Sequence, residues 1–66
     1  MLNKKVGLRI KQFRIKKAIT QIELSKLIGI SQAEISRIEN SATQITLYDL
    51  EKISKALDVT IASLIN

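Results

Sequence analysis

The chain predicts an all-α fold of five short helices, and three observations carry that expectation. The first is a repeated start signal: Thr20-Gln-Ile-Glu23, Ser31-Gln-Ala-Glu34 and Thr46-Leu-Tyr-Asp49 each set a hydroxyl three residues before an acid, the pattern of a capping box. The second is apolar spacing of three and four residues, with no stretch alternating at period two long enough to argue a strand. The third is composition. With no proline, two glycines and 3% aromatic residues, the chain lacks the punctuation of a turn-rich sandwich or barrel. Leu, Ile, Ala, Lys, Gln and Glu favour helix, although the many isoleucines blunt the preference.

Helix 1 is expected over roughly residues 4–17, with Asn3 as a plausible cap and Val6, Ile10 and Phe13 at i, i+4 and i+7. Helix 2 starts at the Thr20 cap, turns Leu24 and Ile28 inward and ends near Gly29, a residue that readily adopts the left-handed conformation. Helix 3 follows the Ser31 cap, with Ile35 and Ile38 on its inner side and Glu34 closing the box. Residues 40–45 form the only sizeable loop. Helix 4 follows Thr46, where the shorter Asp49 makes a weaker box, and carries Leu47, Leu50, Ile53 and Leu57. Helix 5 starts at Thr60 and presents Ile61, Leu64 and Ile65. The 66 residues make one small domain, 1–66, which buries only about 60% of the surface of its unfolded chain.

The charge is +5 overall, and its placement is one-sided. Residues 1–22 hold Lys4, Lys5, Arg9, Lys11, Arg14, Lys16 and Lys17 and no acid, whereas the remainder holds more acids than bases. Such a field suits a polyanion or an anionic surface; the bland alternative is a solubilising lysine-rich helix. There is no histidine or cysteine, which removes disulfides and the usual zinc ligands, and no cofactor or metal is expected. The longest apolar run is too short for a membrane span or a signal peptide, so a soluble cytoplasmic protein is the default.

Between Gln21 and Asn40 the chain reads QIELSKLIGISQAEISRIEN. Leu24, Ile28, Ile30, Ile35 and Ile38 are placed to clamp two short helices at a steep angle, the small Ser25 permits close approach, and Gly29 makes the turn. This segment resembles the helix-turn-helix of the lambda-repressor-like family, also called Cro-type or XRE-type regulators. The resemblance extends over about residues 5–66, through VGLRIKQFR, ITQ, ISRIEN and LEKISKALDV. It implies a DNA-binding transcriptional regulator, most often a dimeric repressor, whose helix 3 enters the major groove of a pseudo-palindromic operator.

Stepping ~100° per residue from Gln32, the outward arc of helix 3 holds Gln32, Ala33, Ser36 and Arg37, opposite Ile35 and Ile38. These four are the candidate base-reading residues: Gln pairs with adenine, Arg with guanine, and an alanine methyl can touch thymine. Glu34 and Glu39 fall at ~200° and ~340°, on the flanks of that arc. The resemblance implies that Gln21 binds phosphate at the start of helix 2 and that Arg14 pairs with Glu39 while also approaching the backbone. Lys17, Asn40, Thr43 and Gln44 are further phosphate candidates, and Arg9, Lys11 and Lys16 either position phosphates or keep helix 1 wet. Glu39, Glu34, Ser31 and Gly29 are expected to support the site structurally.

The chain departs from the family pattern in places. Ala18 replaces the common glycine after helix 1, so that helix is expected to end without a left-handed cap or to run on slightly. Ile45 replaces a frequent proline. Leu8, Ile15, Ile22 and Leu27 are apolar where relatives are usually polar; scattered exposed apolar residues are ordinary, and the other reading is a surface for a second protein partner at Leu8 and Ile15. Homodimerisation is expected through Ile61, Leu64 and Ile65, helped by Tyr48. Because the chain stops at Asn66, no ligand-sensing or protease-cleaved domain is expected, which leaves regulation to concentration, DNA cooperativity or a partner. The competing reading is an antitoxin-type or other protein-binding module on the same fold. An enzyme is disfavoured: the hydroxyl–acid pairs are explained by caps, and no phosphate-cradling glycine loop is present.

Overall fold

In a computed structural model, which describes residues 5–66, the described chain contains α1 (Lys5–Lys16), α2 (Gln21–Ile28), α3 (Gln32–Glu39), α4 (Leu47–Leu57) and α5 (Ile61–Ile65). The Asn3 cap and the first residue expected for helix 1 lie outside the described residues. Thr20, Ser31, Thr46 and Thr60 all stand in extended backbone and accept, through their hydroxyls, the amide three residues on. The boundaries follow from that local chemistry, because each hydroxyl satisfies one of the first amides that a helix leaves unpaired.

Four of the five helices end alike. Ala18 (φ 58°), Gly29 (φ 71°), Ser41 (φ 58°) and Asp58 (φ 54°) are left-handed. The following amides reach back five residues, Ile19 to the Arg14 carbonyl at 3.1 Å, Ile30 to Ser25 at 3.2 Å, Ala42 to Arg37 at 2.8 Å and Val59 to Ser54 at 3.0 Å. These are the long bonds of Schellman ends. Glycine occupies one of the four positions, so the expectation for Ala18 is corrected: α1 does end in a left-handed cap, made by a residue that pays for it sterically.

Val6, Ile10, Leu24, Ile28, Ile35, Ile38, Leu50, Ile53, Leu57 and Leu64 form one core to which every helix contributes, with Phe13, Ile19, Ile30 and Ile45 packed around it. Two assignments are corrected here. Leu47 is 64% exposed: it is the first residue of α4, and a helical Cα–Cβ bond tilts toward the helix N-terminus, away from the turns that carry the buried Leu50, Ile53 and Leu57. Leu64 is fully buried and cannot form an interface with a second copy. The five-residue α5 has a single inward position, and it is held to α1, where Arg9 Nη1 donates to the Leu64 carbonyl at 3.5 Å. Ile61 and Ile65 remain half-buried at the edge.

Gly7 was given no role by the sequence reading, and it decides how α1 meets α3. A Cβ there would collide with the Ile38 carbonyl oxygen and lie 3.0 Å from that of Glu39. A glycine inside a helix costs roughly 0.5–1 kcal/mol relative to alanine, and that cost is the signal that could have exposed the contact.

A candidate nucleic-acid interface

The outer side of α3 carries the residues singled out for base reading: Gln32, Ala33 and Arg37 are exposed and Ser36 is half-buried, while Ile35 and Ile38 are buried behind them. The arc drawn from helical periodicity is therefore the solvent side of the helix. Ser31 caps its start, its Oγ accepting the Glu34 amide at 3.1 Å, and Gly29 makes the turn from α2. Asn40 follows directly, with Nδ2 3.5 Å from Ser36 Oγ; Gln44 is exposed and Thr43 half-buried in the loop beyond.

Behind this surface runs a continuous polar network. Arg14 donates from Nε to Glu39 Oε2 at 2.6 Å, from Nη2 to Oε1 at 3.1 Å and from Nη1 to the Ile19 carbonyl at 2.7 Å. Both side chains are nearly sealed, at 10% and 1% exposure. Gln21 Nε2 donates to Glu39 Oε1 at 3.0 Å, and Gln32 Nε2 reaches Gln21 Oε1 at 3.5 Å, the outer limit of a hydrogen bond. One glutamate thus ties the end of α3 to α1, to the start of α2 and, through Arg14, to the left-handed turn at Ala18. Among the described residues no buried side-chain nitrogen or oxygen lacks a partner.

The network corrects one expectation and sharpens another. Arg14 pairs with Glu39 as the resemblance implied, but it is not available to phosphate: its guanidinium is buried, and three of its nitrogens are committed to protein oxygens. The positive field is correspondingly narrower than the count of bases suggests. Arg14 and Arg9 turn inward, while Lys11, Lys16 and Lys17 are exposed. Lys17 Nζ lies 4.0 Å from Asp58, a loose surface pair of little energetic consequence. Gln21 is half-buried at the first position of α2, where unpaired amides and the helix dipole favour an anion, with part of its side chain already spent on Glu39.

Glu34 is the second correction. The α2 box closes fully, Glu23 Oε1 accepting the Thr20 amide at 2.9 Å, but the matching glutamate on α3 turns away from Ser31. Its Oε1 instead accepts from Arg37 Nε at 3.1 Å and Nη2 at 2.8 Å. At i and i+3 on one helix, the charged pair outcompetes a single amide bond.

Leu8, Ile15, Ile22 and Leu27 are all exposed, between 49% and 63%. Among the described residues no cluster of acidic side chains gathers to hold a metal ion, and no helix is long and apolar enough to cross a membrane.

Known proteins share this fold. A helix-turn-helix family model matches residues 10–64. The HTH-type transcriptional regulator SinR of Bacillus licheniformis is 39% identical over 62 residues, covering 92% of this chain and 56% of the relative, so the chain spans about half the length of the curated relatives it matches. Among solved structures, SinR in complex with DNA superposes with a TM-score of 0.85 at 37% identity, covering 92% of this chain and 98% of that one. The P22 c2 repressor bound to a synthetic operator superposes with a TM-score of 0.86 at 36% identity, covering 92% of both. The five-helix order, the capped pair α2 and α3, and these matches together establish that the chain belongs to the Cro/XRE-type helix-turn-helix family of DNA-binding domains.

Proposed function

We propose that the chain is a sequence-specific, double-stranded DNA-binding transcriptional regulator acting as a repressor, with α3 in the major groove and no catalytic activity of its own. The observation that carries this reading is the exposed arc of Gln32, Ala33, Ser36 and Arg37 on a helix fixed from behind by the Arg14–Glu39 pair. A rigid helix with hydrogen-bonding side chains on one face matches the donor and acceptor pattern of base edges. Gln21, Asn40, Thr43, Gln44 and Lys17 supply phosphate contacts, which set register and make binding fall steeply with salt. Two copies meet along the edge of α5 through Ile61 and Ile65 and read half-sites about one helical turn apart. The reading is supported by SinR and the P22 c2 repressor, both solved with DNA. A cytoplasmic location follows from that function.

Selection of bound sites from random duplex DNA at modest salt tests the reading, and enrichment of a pseudo-palindrome is the expected result. Arg37→Ala then relaxes preference at one base pair per half-site, whereas Lys17→Ala weakens every sequence about equally and lowers the salt slope by about 1. Failure to enrich any site would refute the proposal, and equal effects from the two variants would show that α3 presents a different face.

The alternative, a module that binds a protein partner, draws on the exposure of Leu8 and Ile15, both more than half exposed on α1. Co-purification with a neighbouring gene product that is lost on Leu8→Ser/Ile15→Ser is the result that would favour it.

A further inference from the structure

We propose that Glu34 is a positioning residue for base recognition, holding Arg37 by one edge of its guanidinium so that the other end meets guanine. The proposal rests on the reading of α3 as the helix in the major groove.

The geometry is specific. Glu34 Oε1 accepts from Nε and Nη2 together, at 3.1 and 2.8 Å. Those two nitrogens form the side edge of the guanidinium plane. The end-on fork, Nη1 with the second hydrogen of Nη2, is not used by Glu34, and it is a fork of this kind that pairs with the O6 and N7 acceptors of guanine. A long side chain otherwise samples many rotamers and must be ordered on binding. One already fixed in plane by a carboxylate meets the base with less to lose.

The chain contains its own comparison. Thr20 and Ser31 both precede a glutamate at the third position, and on α2 that glutamate closes the box. On α3, between the reading residues Ala33 and Ser36 in the chain, it is given to Arg37. Arg37 is 54% exposed and Glu34 32%, so the pair sits on the rim of the proposed contact surface rather than inside the core. The energetics explain why a carboxylate is tolerated there. Glu34 weakens attraction to phosphate for every duplex alike, and sharpens the choice of base at one position.

These opposite effects make the test. The probes are the duplex that the wild-type chain enriches from a random pool and its three single-base variants at the position where Arg37→Ala loses preference. Removing Glu34 (Glu34→Ala, with Glu34→Gln as the near-isosteric control) is expected to tighten binding to a random-sequence duplex. The same change is expected to cut the preference for guanine by about three- to tenfold, the scale of immobilising one long side chain at a binding interface. In the Arg37→Ala background it should have no further effect on base preference. The Ser31 cap is retained, and circular dichroism verifies that α3 still forms. The proposal is overturned if Glu34→Ala leaves the guanine preference intact, shifts all positions equally, or alters preference without Arg37, which would mean that Glu34 reads a base itself. If the wild-type chain enriches no site, the reading of α3 fails and this proposal with it; if it enriches one and only the Glu34 variants behave as wild type, the positioning role alone fails.

Discussion

Replacing Ala18 by glycine should stabilise this protein, against the usual penalty of adding a glycine. Ala18 sits at φ 58° between the Ile15 carbonyl, which accepts its amide at 2.9 Å, and Ile19, whose amide reaches Arg14 at 3.1 Å. In that conformation a Cβ crowds the following carbonyl, a cost of roughly 1–2 kcal/mol that glycine does not bear. Against this, glycine loosens the unfolded chain by about 0.4–1 kcal/mol. The difference is a gain of about 0.5–1 kcal/mol, and in a domain of this size each kcal/mol moves Tm by about 4–8 °C. Thermal unfolding followed by circular dichroism should therefore show Tm raised by ~2–8 °C, with binding to a selected duplex unchanged. The loop geometry matters for more than the turn, because the Ile19 carbonyl it presents takes Arg14 Nη1 at 2.7 Å. A lower Tm for Ala18→Gly would refute the reasoning, since it would mean that the alanine side chain contributes more by packing than its backbone loses by strain.

Other perturbations probe the remaining joints. Gly7→Ala should lower stability by about 1–3 kcal/mol, the range for overpacked sites, because the new methyl meets fixed backbone carbonyls; urea unfolding at constant m-value is the measure. Glu39→Ala leaves Arg14 buried without its counter-charge and should cost about 3–5 kcal/mol, enough to unfold much of the population at 37 °C by circular dichroism. The Thr20 backbone amide, then the Thr20 hydroxyl, hold the Glu23 carboxyl below its ordinary value. Its contribution to stability is therefore present above the unfolded-state value of about 4.3 and lost as pH falls through the folded one. Compared with wild type, Glu23→Gln should show a shallower loss of Tm between pH 7 and pH 3, and parallel curves would contradict the assignment.

Much of the site was legible from spacing. The caps at Thr20, Ser31, Thr46 and Thr60 mark helix starts because the hydroxyl and the amide it satisfies are within four residues of one another, with an acid at the same spacing in the first three. The outward arc of α3 follows from 100° per residue once Ile35 and Ile38 are inside. The resemblance supplied the Arg14–Glu39 pair, which no local pattern contains. What spacing and resemblance misjudged were side chains with more than one partner in reach. Glu34 could serve Ser31 or Arg37, Arg14 could face phosphate or Glu39, and Leu64 could face a second copy or the core.

The sequence by itself determined the helical class, the starts of α2 to α5 and the residues that α3 turns to solvent, since these are set by interactions along one turn. Only the tertiary structure decided that Gly7 is where α1 meets the α3 carbonyls, that Leu64 belongs to the core, and that Arg14 lies behind the interface. The physical reason is range. A helix cap or an apolar stripe is closed by neighbours in the chain, whereas a buried charge or a missing Cβ takes its meaning from a segment twenty-five or more residues away, brought near only when the core forms.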